Sequence, residues 1–265
     1  IPDKTPVAIH ALITNSLIEG AYRFKDGSHQ IADLLIENIQ RNGGTLKSSS
    51  EVVKLEVVSK KVESAVLSNG EVIKADYFIS AIHPSITLGM TDSKLLRKSY
   101  RTRINEIEET MSVFSIYISF KPDSFEYLNY NYYHFNDSTV WSIPHYTPEK
   151  WPQEFLFLTL PSSNSQKYAE TATAMTYMNY DEVQKWENSG IGKRGNDYEE
   201  FKNHKAELLI SHIDKQFPGF RSSILNYYTS TPLSMQTYTG TKHGSKYGIL
   251  HYYHEHQKTS IITTG

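Results

Sequence analysis

Residues 26–84 read DGSHQIADLLIENIQRNGGTLKSSSEVVKLEVVSKKVESAVLSNGEVIKADYFISAIHP. Two periods divide this stretch. Ile31, Leu34, Leu35 and Ile39 recur at helical spacing behind Ser28, a residue type that caps helices, and Gly43-Gly44 ends the run. From Glu51 the period shortens to two. EVVKLEVV and VESAVLS alternate, Lys60-Lys61 marks a turn between them, and Asn69-Gly70 is a hairpin signal leading into EVIKADY. YFISAI (77–82) is apolar throughout, the pattern of a strand buried on both faces. The expected order is helix, three-stranded meander, buried strand: an α/β block.

Beyond residue 90 the character changes. DSKLLRKSYRTRINEIEET (92–110) reads as a helix, and SVFSIYISF, YNYYHF, TVWSIPHY, EFLFLTLP and ATAMTYMNY as strands. DEVQKWENS (181–189) and NDYEEFKNHKAELLISHIDKQF (196–217) read as helices, the second with Phe201, Leu208, Leu209, Ile213 and Phe217 on one face before Pro218-Gly219. The remainder reads as strand and loop. This predicts an α/β part at 1–90, an aromatic α+β part at 91–230 and a closing segment at 231–265.

The chain has 265 residues, a formal charge of −2 and 38% hydrophobic residues, which fits a folded soluble protein. Near-neutral charge gives no electrostatic basis for binding nucleic acid. No apolar run approaches the ~20 residues needed to span a bilayer, and IPDKTPVAIHALI has none of the marks of a signal peptide. Zero cysteines remove disulfides and thiolate chemistry, in keeping with a cytoplasmic setting. The first residue is Ile, so the chain is expected to be processed or to be a piece of something longer. Tyr occurs 19 times. Its flat apolar body and polar tip suit sheet faces first, and apolar cavities that need a wet rim second.

GIGKRG (190–195) has the G-x-G-x-x-G spacing of a dinucleotide loop. Such a loop must follow a buried strand and open a helix, so that its N–H groups face the pyrophosphate. Here it follows a polar segment, and no acidic residue ends a second strand ~20 positions on. The reading is a glycine-rich hinge, with Asn196 or Asp197 capping the next helix. HYYHEH (251–256) carries three histidines but lacks the order and pitch of a zinc motif, so no metal is expected. Asp76 and His83 could be paired as acid and base, but a strand-edge Asp and a loop His before Pro84 is the simpler reading.

The order of parts in residues 20–84 resembles that of the flavoprotein oxidoreductases that include phytoene desaturases, carotenoid isomerases and retinol saturases. The turn at Tyr22 to Ser28 carries Ser28 where a second glycine is usual. It is followed by the helix ending at Gly43-Gly44, the strand Val52 to Leu55, the Asn69-Gly70 hairpin, and Ala75 to Pro84. The run TPLSMQTYTGTKHGSKYG (231–248) is similar to one in the saturase and isomerase branch.

The resemblance implies a partial FAD/NAD(P)-binding Rossmann-like domain whose fingerprint lies ahead of Ile1. It also implies a mixed-sheet substrate domain of the amine-oxidase/phytoene-desaturase type. The cofactor would be FAD, with NAD(P)H as electron donor. The reaction would saturate, desaturate or isomerise carbon–carbon double bonds of a hydrophobic polyene, with peripheral membrane contact for access to it, and the piece by itself would be inactive. Val52, Ala81, Ile82, His83, Pro84, Gly240 and Gly248 would touch the cofactor, and Arg23, Ser28, Gln30, Tyr238 and Tyr247 the substrate. No catalytic side chain stands out, as expected where the flavin carries the chemistry. The alternative is a non-enzymatic aromatic-rich module that binds a hydrophobic or sugar ligand.

Overall fold

Contacts divide the chain at Ile107/Glu108 into two compact units, each described by itself below. The computed structural model describes residues 6–250 apart from 21, 23, 26, 92–93, 137–142, 144 and 163–164. The boundary expected near residue 90 thus falls at 107 in the packing, because the short helix at 98–105 is tied back to the first unit.

The first unit opens with helix α1, Val7–Ile18, followed by α2, His29–Arg41. Ser28 immediately precedes α2, and Gly43, at φ 79°, lets the chain turn so that the Gly44 N–H reaches the Ile39 carbonyl at 2.8 Å. The strands β1 (Val52–Val58), β2 (Lys61–Leu67) and β3 (Val72–Lys74) form an antiparallel sheet in the order β1-β2-β3. Ser59 and Lys60 both take positive φ in the first hairpin turn. Gly70 does so in the second, where the Asn69 side chain accepts the Glu71 N–H. The meander and helix therefore stand where the sequence put them.

The buried strand expected at 77–82 does not form. Tyr77 is 89% and Ile79 96% exposed, and the segment has no ladder partner among the described residues. An apolar run states a demand for burial; it becomes a strand only where a second backbone satisfies its N–H and C=O groups. Pro84 at its first position starts the short helix α3, Pro84–Gly89, with His83 as N-cap. The helix expected over 92–110 is shorter, α4 at Lys98–Asn105. The Arg101 guanidinium donates to the Leu88 and Thr91 carbonyls and holds α4 against α3.

The second unit is built on a five-stranded sheet. Its strands are β4 (Ser112–Phe120), β5 (Tyr132–Phe135), β6 (Glu154–Ser162), β7 (Ser165–Met178) and β8 (Ile224–Ser230), in the order β5-β6-β7-β4-β8. Every pairing is antiparallel, where a mixed sheet is expected. The long helix α5, Asn196–Gln216, lies between β7 and β8, followed by the single turn α6, Phe220–Ser223. Along β7 burial alternates strictly from Ala172 to Met178. One face packs its Ala172, Ala174 and Met178 with Phe114, Ile116, Phe155, Phe157, Leu209, Ile213 and Phe220 into the core.

Two further departures have local causes. DEVQKWENS is not a helix but two 3-10 turns, Tyr180–Glu182 and Gln184–Trp186. The closing segment contains helix α7, Pro232–Thr239, where strand and loop are expected. Its start is a capping box: the Thr231 side chain accepts the Ser234 N–H, Ser234 Oγ accepts the Thr231 N–H, and Pro232 takes the first helical position. The expected strand TVWSIPHY lies largely outside the described residues.

Candidate functional site

The second unit's sheet turns one face to α5 and leaves the other half-open, and strand register assigns that open face row by row. Leu160, Thr171, Ser119 and Asn226 form one row across the strands, and Leu158, Thr173, Tyr117 and Tyr228 the next. A third holds Tyr133, Leu156, Met175, Ser115 and Ser230, and a fourth Phe135, Glu154, Tyr177 and Val113. The middle rows carry Leu156, Leu158, Met175, Tyr117, Tyr133 and Tyr228, with Thr173, Ser115 and Ser230 between them. Tyr117 and Tyr228 stack at 4.9 Å and 21°, and Tyr228 is 68% exposed. Tyr133 and Phe135 are exposed at the β5 edge. At about 4.8 Å between strands, the one row that crosses all five strands is roughly 19 Å across and the rows of four roughly 14 Å.

No Lys or Arg stands in these four rows. Glu154 is their one carboxylate. It is buried, accepts the Tyr177 N–H at 2.8 Å, and burial pushes its carboxyl above the usual range despite hydrogen bonds from Tyr177 and Thr176. Burial likewise raises the neighbouring Tyr177 phenol.

The segment after α7 closes one end of this sheet. Gly240 caps α7 at φ 68°, and Gly244 and Gly248 take φ 62° and 71°. Between them the chain runs antiparallel to residues 108–111: Lys246 N–H to Met111 O, Thr110 N–H to Gly248 O at 2.7 Å, and Leu250 N–H to Glu108 O. Ser112 Oγ donates to the Gly244 carbonyl and Ser245 Oγ to Glu109. The tail thus fastens to the start of β4. Lys246 reaches the Met175 sulfur on the open face at 3.4 Å, and the ring of Tyr247 lies under its ammonium at 5.2 Å. Sequence reasoning singled out Tyr247 and Gly248 here but passed over Lys246 and the strand rows. The alternation TATAMTYM (171–178) was the signal that could have found those rows.

The expected site residues fall into two sets. In the second unit Tyr238 and Tyr247 are exposed, and Gly240 and Gly248 flank the tail. In the first unit Val52 opens β1 opposite Leu67, Ala81 and Ile82 are exposed, and Pro84 starts α3. The Nδ1 of His83 lies 2.7 Å from Ser85 Oγ, in a capping role. Ser28 is exposed, and the Gln30 amide donates to the Lys25 and Gly27 carbonyls, bracing the turn ahead of α2. Arg23 and the HYYHEH histidines lie outside the described residues.

GIGKRG is a loop between a 3-10 turn and α5, preceded by no strand, and Gly195 rather than Asn196 or Asp197 is the helix N-cap. Asp197 instead accepts the Trp186 indole N–H. Among the described residues no cluster of His, Asp and Glu could hold a metal, and no helix is long and apolar enough to cross a membrane.

Residues 5–193 match the model of the flavin containing amine oxidoreductases, and the chain belongs to that family. It is 28% identical to the all-trans-retinol 13,14-reductase of Rattus norvegicus, over 94% of this chain and 44% of that protein. It is 24% identical to the protein of the same name from Homo sapiens, with the same coverage. To that of Danio rerio it is 22% identical, over 95% of this chain and 45% of that one. The chain spans less than half the length of these relatives. A solved oxidoreductase from Methanosarcina mazei aligns over 77% of this chain and 42% of its own at a TM-score of 0.48 and 13% identity.

FAD is the cofactor this family implies. The described residues fit it in part. The exposed Ala81 and Ile82, on an apolar segment that no strand covers, offer backbone and methyl groups of the kind a flat ring system packs on. Among the described residues no glycine loop joins a strand to a helix, so none of them offers a pyrophosphate a cradle of that kind.

Proposed function

We propose that this flavin oxidoreductase acts on a carbon–carbon double bond of an elongated apolar polyene of the retinoid or carotenoid kind. The observation that carries the reading is the open sheet face, on which Leu156, Leu158, Met175, Tyr117 and Tyr228 offer neighbouring apolar surface and whose four rows carry no Lys or Arg. The names of the relatives agree with it. A bound flavin supplies hydride transfer. The chain's own residues bind and orient: Leu156, Leu158, Met175, Tyr117 and Tyr228 form a dry floor along which the polyene lies, and Tyr133 and Phe135 limit it at the β5 edge.

Val52, Ala81 to Pro84, Gly240 and Gly248 contact the cofactor in this reading, and Arg23, Ser28, Gln30, Tyr238 and Tyr247 contact the substrate. NAD(P)H is the proposed electron donor, and peripheral membrane contact the proposed route of substrate delivery.

The test is anaerobic. The purified flavin-loaded protein is reduced, mixed with all-trans-retinol or a carotene, and followed by flavin absorbance and product chromatography. Flavin reoxidation coupled to loss of one double bond is the expected result. Reduction of the oxidised flavin by a primary amine, with both polyenes left untouched by the reduced protein, would overturn the reading in favour of amine oxidation.

A further inference from the structure

Lys246 puts one ammonium onto a sheet face that is otherwise apolar. The four strand rows contain no Lys or Arg. Lys246 arrives from the tail, where its N–H pairs with Met111 and its side chain turns inward, half-buried, to the Met175 sulfur at 3.4 Å. An ammonium has three donors and a thioether is a weak acceptor. Among the described residues Lys246 forms no ion pair with any carboxylate. Glu154, one row away, attracts it only at longer range, since its carboxyl is engaged by the Tyr177 N–H and the Thr176 hydroxyl. The row of Met175 continues into Ser115 and Ser230. The Ser230 hydroxyl is buried without a hydrogen-bond partner among the described residues. Within these rows the one ammonium that reaches the face is that of Lys246.

We propose that Lys246 is a specificity residue that reads a carboxylate at one end of an otherwise apolar ligand lying on the open sheet face. The proposal rests on the polyene reading above and narrows it to acid-ended molecules. A hydrocarbon leaves the ammonium desolvated and unpaired, which disfavours binding. A carboxylate satisfies it with a charge-assisted hydrogen bond.

The probes are all-trans-retinoic acid and all-trans-retinol, which share the polyene and differ at the polar end. Binding to the flavin-loaded protein is titrated by fluorescence quenching, which needs no turnover. The wild type is expected to bind the acid about tenfold more tightly than the alcohol. Lys246→Met is expected to remove that preference with flavin content unchanged, and Lys246→Arg to keep it. Equal affinity of the wild type for acid and alcohol overturns the Lys246 proposal alone. So does a preference that survives in Lys246→Met. If neither retinoid binds a protein that still holds flavin, the polyene reading falls, and the Lys246 proposal with it.

Discussion

Gly244 lies so close to Pro232 that a Cβ added to it would stand 2.0 Å from the Pro232 carbonyl oxygen. The same glycine takes φ 62° and is buried. Its carbonyl accepts the Ser112 hydroxyl, so the one position joins the start of α7, the tail and β4. Gly244→Ala is expected to cost about 3 kcal/mol, from overpacking against backbone and from the left-handed φ together. Gly248→Ala, with nothing near its Cβ, carries only the φ term, about 1 kcal/mol. Chemical denaturation of the two variants side by side checks this, and equal losses would refute the steric argument.

Lys205 and Glu182 form an ion pair inside the second unit, their side chains 5% and 9% exposed. The Lys205 ammonium also lies 4.4 Å from the centre of the Trp151 ring, and the Tyr146 hydroxyl donates to Glu182 while accepting the Asn179 N–H at 2.7 Å. Burial and that bond to Glu182 hold the Tyr146 phenol protonated. Lys205→Met leaves a carboxylate buried without its cation and is expected to cost about 3–5 kcal/mol. Lys205→Met with Glu182→Leu should recover most of the loss. A double variant no more stable than the single one would show that the pair's worth lies in its geometry rather than its charge balance.

Glu154 predicts a pH dependence. Its carboxyl is raised in the folded state by burial, so the folded protein binds the proton more tightly than the unfolded chain does. That contribution is complete below the ordinary glutamate range and is lost as pH rises through the raised value. Glu154→Gln keeps an acceptor for the Tyr177 N–H and removes the titration. The melting temperature of the wild type should fall relative to Glu154→Gln as pH increases from the acid side to neutrality. Parallel profiles would mean that the Glu154 carboxyl is not displaced.

These residues also mark where the sequence was readable. α2, the β1–β3 meander, β4, β6 and α5 were legible because each states its period within its own residues. α7 was not: TPLSMQTYTG has no apolar stripe, and its helix rests on Pro232 and the reciprocal Thr231–Ser234 hydrogen bonds. Tyr77 to Ile82 misled for the opposite reason, since an apolar run cannot say whether a partner backbone is present. The tyrosines divide by strand parity and helix face. Tyr198 is buried against Trp186 on one face of α5, while Tyr117 and Tyr228 stand on the open face by strand register. Lys246 was invisible because its meaning depends on Met175, seventy-one residues away in sequence.

GIGKRG, which matches a cofactor fingerprint in spacing, gives a prediction that separates motif from fold. In a pyrophosphate loop the first glycine makes the tight turn, and a side chain there distorts the loop that holds the ligand. In this protein Gly190 has nothing within 4 Å of a built Cβ and does not need positive φ, whereas Gly192 and Gly195 take φ 72° and 86°. Gly190→Ala should therefore change stability by no more than about 0.5 kcal/mol and leave flavin content untouched. Gly195→Ala should weaken the start of α5 by about 1 kcal/mol through its backbone conformation, again with flavin content unchanged. The measurement is flavin absorbance per chain after purification, beside a denaturation curve. Loss of flavin in Gly190→Ala at unchanged stability would return this loop to the cofactor site.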